Sequence, residues 1–359
     1  MIDPFIHKIN AGLKSLFQDT NRRYKLGLIS DRLFQDTQEF VLRKGKRIRP
    51  LLFILSYRGY TPRKTYPEKK LFASAASIEL LHDYMLIHDD VIDNSDLRRG
   101  KPTLHKIFDQ QIKLSDNAKI GHELAIVAGD ILFALALEAF LSIDENKSRK
   151  EKALKKLIET AAFTGAGEFI DIVFGHSTIE HFTEKKIFLN YTLKTAKYTF
   201  ECPLLLGAIL AGAHPKELKK LSNLGLAAGQ AFQIYDDFLD LFATEKIIGK
   251  SILSDLVESK KTLLVFKTYD KLKGKKKRYF RRILEKKNKT RADLKNFRRL
   301  VVESGAYDYG LKKMTTLQNK AIRLTEKLTM KEAYRKELKN IILKLSPSHM
   351  PLDIKRRSE

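Results

Sequence analysis

At 359 residues the chain is long enough for one substantial core, and by length alone for two or three domains. Apolar residues make up 43% and charged residues 31%, which excludes a disordered chain, and a single cysteine, Cys202, excludes a disulfide framework or a cysteine zinc site. The formal net charge of +25, from 68 Lys+Arg against 43 Asp+Glu, points to polyanionic ligands.

Taken in chain order, the opening Met1-Ile2-Asp3-Pro4-Phe5 lacks the basic-then-apolar layout of a signal peptide, so a cytoplasmic location is expected. Apolar residues at three- and four-residue spacing predict helices over 71–91, 124–141, 154–174, 187–210 and 218–242. The most apolar stretch, 124–141, is interrupted by Asp130 and Glu138 and reads as a buried helix, not a membrane span. Alternating strand patterns with Asn-Gly or Asp-Gly turns are absent. Between Lys267 and Arg299 basic residues crowd together against only Asp270, Glu285 and Asp293, which reads as a solvated face. A loop near 271–277, within a basic segment at 271–299, and the tail at 346–359 are expected to be mobile. The economical reading is one all-α domain over 1–359.

The chemistry concentrates in a recurring pattern. Asp89-Asp90-Val91-Ile92-Asp93 and Asp236-Asp237-Phe238-Leu239-Asp240 share DDxxD, each ending an apolar helical segment. Residues four apart on a helix project from one face, so each pair of outer carboxylates repels in the absence of a cation. Anions at a helix C-terminus also oppose the helix dipole. One such run is commonly a solvated acidic helix end; two are hard to explain without a ligand. Carboxylate oxygens without His or Cys neighbours suit Mg²⁺, which takes one or two carboxylates and completes its octahedron with water and phosphates. Basic clusters are interleaved: Gly45-Lys46-Arg47-Ile48-Arg49-Pro50, Arg98-Arg99-Gly100-Lys101-Pro102, Lys194-Thr195, Lys250 and Lys260-Lys261. Together they suggest two anion sites, one held through metal and one directly by Lys and Arg.

These motifs, with Gly229-Gln230, Gly129-Asp130, Lys194-Thr195-Ala196 and Gly249-Lys250-Ser251 in the same order, resemble the trans-isoprenyl diphosphate synthases (polyprenyl synthetases), over about 40–328. The resemblance implies a single-domain helical bundle with a large central active-site cavity, the isoprenoid synthase fold. It implies an enzyme that joins isopentenyl diphosphate to an allylic diphosphate (dimethylallyl, geranyl or farnesyl) with several Mg²⁺ ions, Mn²⁺ substituting. On that resemblance Asp89, Asp90, Asp93, Asp236, Asp237 and Asp240 hold metal. Arg98, Lys194, Lys250 and Lys260 contact the allylic diphosphate, while Lys46, Arg49, His82 and Arg99 hold isopentenyl diphosphate. Thr195 and Gln233 line the reaction centre, and Tyr84 with Met85 sets product length, C20 being favoured over C15. A homodimer is implied, with no specific nucleic-acid partner. Peripheral membrane association follows from the charge. The sequence departs from the family pattern at Glu258-Ser259-Lys260 and at Gly167-Glu168-Phe169-Ile170-Asp171.

Three other readings compete. His82-Asp83 and His88-Asp89 look like the HD dipeptides of metal-dependent phosphohydrolases, but no His accompanies the second Asp cluster. A nucleic-acid binder would leave module signatures that are absent. A silent subunit of a hetero-oligomeric synthase is disfavoured by two intact Asp clusters.

Overall fold

The structure, a computed structural model, describes residues 2–111, 120–243 and 260–345. Its elements are helices except for one two-stranded hairpin among the described residues. They divide into two units, Met1–Leu157 with Pro203–His214 and Met330–Glu337, and Ile158–Cys202 with Pro215–Thr329 and Leu338–Glu359.

In the first unit, α1 (Ile2–Tyr24), α2 (Leu26–Ile29), α3 (Asp31–Leu42) and α4 (Ile48–Tyr60) precede the long α5 (Glu68–Ile92). Helix α5 buries residues on nearly every side, including Phe72, Ala75, Ile78, Leu80 and Leu81, because α1, α4 and α7 (Ile120–Phe140) all pack on it. Between α5 and α7 lie the hairpin β1 (Leu97–Arg98) and β2 (Lys101–Pro102), then α6 (Leu104–Gln111). That hairpin escapes a search for strands because each strand has two residues. Its turn uses Arg99 at φ 57° and Gly100 at φ 74°, the left-handed pair that a tight hairpin needs, with Arg in place of the usual Asn or Asp.

Helix α8 (Lys147–His176) runs from the first unit into the second. The single helix expected over 187–210 is three pieces: α9 (Glu184–Asn190), a π-helical stretch (Tyr191–Glu201) and α10 (Cys202–Ala211). Pro203, which has no N–H to donate, marks the return to α-helix. The π stretch packs along α11 (Pro215–Phe242), where Gly225 and Gly229 permit close approach. A Cβ on Gly229 would stand 2.4 Å from the Ala196 Cα.

The rest of the second unit is α12 (Leu263–Lys271), α13 (Gly274–Glu285), α14 (Arg291–Glu303) and α15 (Ala306–Glu326), with α16 (Glu332–Leu343) closing the described chain. The basic segment expected as a mobile stretch is thus mostly helix. Phe280, Ile283 and Leu284 on α13, and Leu294, Phe297 and Leu300 on α14, fall at helical spacing and are buried. The Phe280 and Phe297 rings stack at 4.7 Å. The tail at 346–359 lies outside the described residues.

Candidate active site

The first aspartate cluster ends α5. Asp89 and Asp90 occupy its last turn, and Asp93 is the C-cap. Asp90 points inward, is 1% exposed, and accepts from Arg98 Nε at 2.8 Å. Its second oxygen is buried with no partner. Burial, against the pull of Arg98 and with the charges of Asp89 and Asp93 added, pushes the Asp90 carboxyl up to about 6. The Arg98 guanidinium bonds Asp90 and also feels the charges of Asp89 and Asp93. An all-oxygen set with an orphaned buried oxygen fits a hard divalent cation such as Mg²⁺. No group of three or more His, Cys, Asp or Glu side chains forms a ready metal cage among the described residues.

Two turns back on α5 the charge reverses. His82 is held well below its usual range, first by burial and then by the charges of Arg49, Arg99, Arg98 and Arg47. It is neutral, and cations surround it. The four arginines differ in use. Arg47, at φ 49°, is buried and consumed: it pairs with Glu79 at 2.7 Å and donates to Asn10 and to the Val41 and Arg43 carbonyls. Arg99 reaches Asp83 at 3.3 Å and Glu79 at 3.8 Å and is held beneath the Gly45 loop, which carries the exposed Lys46. Burial, reinforced by Glu79, pushes the Asp83 carboxyl up. The structure thus gathers Arg49, His82 and Arg99 and reserves Arg47 for the scaffold. Glu79 is not among the residues expected from the sequence, and Asp83 enters there only through the HD dipeptide; charged residues inside an apolar helical segment were the available signal.

Tyr84 lies between these sites on α5. Its ring packs on His88 at 4.6 Å and on Phe133 of α7 at 5.1 Å. Gly129 makes this approach feasible, since a Cβ there would meet His88 Nε2 at 2.5 Å. Met85, the next residue, is half-buried. His88 contacts the Ile126 carbonyl at 3.3 Å and Asp130 at 3.5 Å. Neither histidine joins a His–Asp metal set, and the arginines around His82 would repel a cation.

The second unit carries the other cluster on the last turns of α11. Asp236 and Asp240 are half-exposed, whereas Asp237 is buried. Asp237 accepts the hydroxyl proton of Tyr191 on one oxygen and Gln233 Nε2 at 3.0 Å on the other. Gln233 in turn accepts from the Thr195 hydroxyl. Tyr191 also accepts the Leu263 N–H at 2.7 Å, which ties the start of α12 to this network. Burial, with Asp237 beside it, holds the Tyr191 hydroxyl well above its usual range, so it stays protonated. Asp237 therefore orients Gln233 and Thr195, and Tyr191 is a network member the sequence did not reveal.

Lys194 donates to Glu168 at 2.7 Å and to Asp171 at 2.8 Å. Gly167 lets α8 reach the π stretch, because a Cβ there would lie 2.6 Å from the Lys194 nitrogen. The departure from pattern at 167–171 is the segment that clamps Lys194. Lys261 donates to the Gly175 carbonyl at 2.6 Å, and burial, with the Lys289 charge nearby, lowers its amine to about 8. Lys260 precedes it; Lys250 lies outside the described residues.

Residues 31–301 match the family model described as polyprenyl synthetase. A short chain isoprenyl diphosphate synthase from Methanocaldococcus jannaschii is 34% identical over 258 residues, covering 72% of each chain. The chain belongs to the polyprenyl synthetase family of prenyl-transferring enzymes. A geranylfarnesyl diphosphate synthase from Aeropyrum pernix is 30% identical over 321 residues, 89% of this chain and 94% of that one. Among solved structures, a geranylgeranyl pyrophosphate synthetase from Pyrococcus horikoshii superposes with TM-score 0.78 at 28% identity, covering 96% of this chain and 97% of the other. A geranylgeranyl pyrophosphate synthase from Corynebacterium glutamicum gives TM-score 0.89 at 24% identity over 97% and 99% of the two chains. This polyprenyl synthetase thus has the all-α fold that its motifs imply.

Proposed function

We propose that this polyprenyl synthetase extends an allylic diphosphate with isopentenyl diphosphate, using Mg²⁺, to a short all-trans prenyl diphosphate, C20 before C15. The observation that carries the reading is the charge reversal along α5: an anionic end at Asp89, Asp90 and Asp93, and the cations Arg49 and Arg99 around neutral His82 two turns away. One diphosphate needs a bridging cation and the other does not. When bound, Mg²⁺ supplies positive charge to the leaving diphosphate.

The chain's own groups divide the remaining work. Arg98, fixed by Asp90, and Lys194, fixed by Glu168 and Asp171, offer charge to the allylic diphosphate, with Lys260 and Lys250. Arg49, Arg99, Lys46 and neutral His82 bind isopentenyl diphosphate by charge and hydrogen bonds. Thr195 and Gln233, held by Asp237, present oxygen dipoles to the developing allylic cation. The released pyrophosphate takes the proton lost in the final elimination, so no protein base is required. Tyr84, packed on Phe133, closes the path of the growing chain.

A homodimer is proposed as well. Val127 on α7 is 55% exposed and Phe169 on α8 is 69% exposed, apolar surfaces that a second copy would cover. No helix among the described residues is long and apolar enough to cross a membrane.

Asp89→Ala tests the reading. Losing one carboxylate of the cation set should lower kcat by roughly 10²-fold or more with the fold intact by circular dichroism. Wild-type turnover by the variant would refute the role of this cluster.

A further inference from the structure

Fifteen basic residues stand between Lys271 and Arg299 against two acidic ones, Glu285 and Asp293, and they supply about half of the chain's net charge of +25. Their placement is costly. Helix α13 opens with Gly274-Lys275-Lys276-Lys277-Arg278, so four cations crowd its first turns, where the helix dipole already carries positive charge. No side chain caps that end. On α14, Arg291 and Lys295 repeat at four-residue spacing, and like charges so placed destabilise a helix.

Some of these cations are accounted for. Lys276 pairs with Glu303, Lys286 with Asp293, and Arg281 with Glu285 and Glu180. Lys277 and Arg282 lie over the Tyr269 and Tyr279 rings. Lys275, Arg278, Lys287, Arg291 and Lys295 are exposed and have no ion-pair or hydrogen-bond partner among the described residues. They project from an α13–α14 hairpin whose large apolar side chains are buried apart from Val302 near the end of α14, which is 48% exposed. Phe280 is 0% and Phe297 1% exposed, so neither is free to insert into a bilayer or to stack on a base. The hairpin therefore offers mainly charge.

We propose that the outward face of the α13–α14 hairpin docks this enzyme on an anionic phospholipid surface. A plane of headgroup phosphates asks for an array of positive charge with no sequence or shape readout, which is what this face presents. Base recognition in single strands would call for exposed aromatic platforms, and the hairpin's rings lie in the core or beneath cations. Because the face carries no exposed aromatic anchor and charge dominates it, the attachment is peripheral, reversible and salt-sensitive. The advantage rests on the function proposed above, since a C20 prenyl chain partitions into lipid; the docking surface itself does not depend on catalysis.

The test is co-sedimentation of the full chain with vesicles of phosphatidylcholine alone or of phosphatidylcholine with phosphatidylglycerol. Wild type should bind only the anionic vesicles. It should detach as ionic strength rises from about 0.1 M to about 1 M, where the Debye length falls from about 10 Å to about 3 Å. Each surface cation contributes about fivefold to such binding. Lys275→Gln/Arg278→Gln/Lys287→Gln/Lys295→Gln, at about fivefold for each of four charges, should therefore bind roughly 600-fold more weakly, with turnover of a water-soluble primer unchanged. Equal binding to neutral vesicles, an unaffected variant, or binding to duplex DNA or to RNA but not to vesicles would overturn the proposal. An inactive protein that still binds anionic vesicles in this pattern supports the dock and refutes only the catalytic reading.

Discussion

Replacing Tyr191 by Phe removes one oxygen that serves two partners. Its hydroxyl donates to Asp237 and accepts the Leu263 N–H at 2.7 Å, and all three residues are buried. Leaving the buried Leu263 N–H without its acceptor costs about 1–3 kcal/mol, and losing the hydrogen bond to the Asp237 carboxylate costs about 1.5 kcal/mol more, so the change costs at least about 2 kcal/mol. At about 2 °C per kcal/mol for a large domain, Tm should fall by about 4 °C or more. Kinetics should change in a specific way. Asp237, without the Tyr191 hydroxyl to anchor it, holds Gln233 less firmly, and Gln233 is what orients the Thr195 hydroxyl. The expected result is a lower kcat with the KM for isopentenyl diphosphate unchanged, because Arg49, His82 and Arg99 belong to the other unit. Scanning calorimetry and steady-state kinetics on both substrates read the two effects. A variant that melts and turns over like wild type would refute the network; a stability loss with unchanged kcat would reduce Tyr191 to a structural role.

Arg49→Ala should raise the KM for isopentenyl diphosphate more than that for the allylic primer; equal increases would argue against two separate anion sites. Tyr84→Ala should shift dephosphorylated products toward C25 and beyond, since the ring lies five residues, or about 7.5 Å of helix, before Asp89, with small Ser77 deeper on α5. An unaltered length distribution from an active variant would remove Tyr84 as the floor. Glu184, though burial works against it, is held down to about 2 by Lys267, Lys313 and Tyr309. Its stabilisation is present above its ordinary value near 4.5 and is lost as pH falls through about 2. Discounted for partial exposure, Glu184→Gln should cost about 1–2 kcal/mol at pH 6 and little near pH 2, by denaturant titration at each pH.

Much of this site was legible because its signals are local. The DDxxD runs declare themselves by spacing, and the helices that carry them declare themselves by apolar period. What escaped depends on partners far along the chain. Arg47 and Arg49 look alike in sequence, yet a left-handed backbone at Arg47 turns it onto buried Glu79 while Arg49 acts on His82. Asp236 and Asp237 are neighbours, yet helical geometry directs Asp237 inward to Tyr191 and Gln233. The π-helical stretch was invisible because its extra residue per turn preserves the apolar content of the segment. The basic run at 271–299 reads in sequence as a mobile solvated segment because its charge count overshadows the well-spaced Phe280, Ile283, Leu284 and Phe297.

The most direct measurement is incubation of the purified protein with isopentenyl diphosphate and, in turn, dimethylallyl, geranyl and farnesyl diphosphate, with Mg²⁺ and with EDTA. Pyrophosphate release and chromatography of the dephosphorylated products report the outcome. The expected result is Mg²⁺-dependent pyrophosphate release and a C20 prenyl alcohol as the main product. Absence of any elongated product from every primer, with either Mg²⁺ or Mn²⁺, would contradict the proposed condensation.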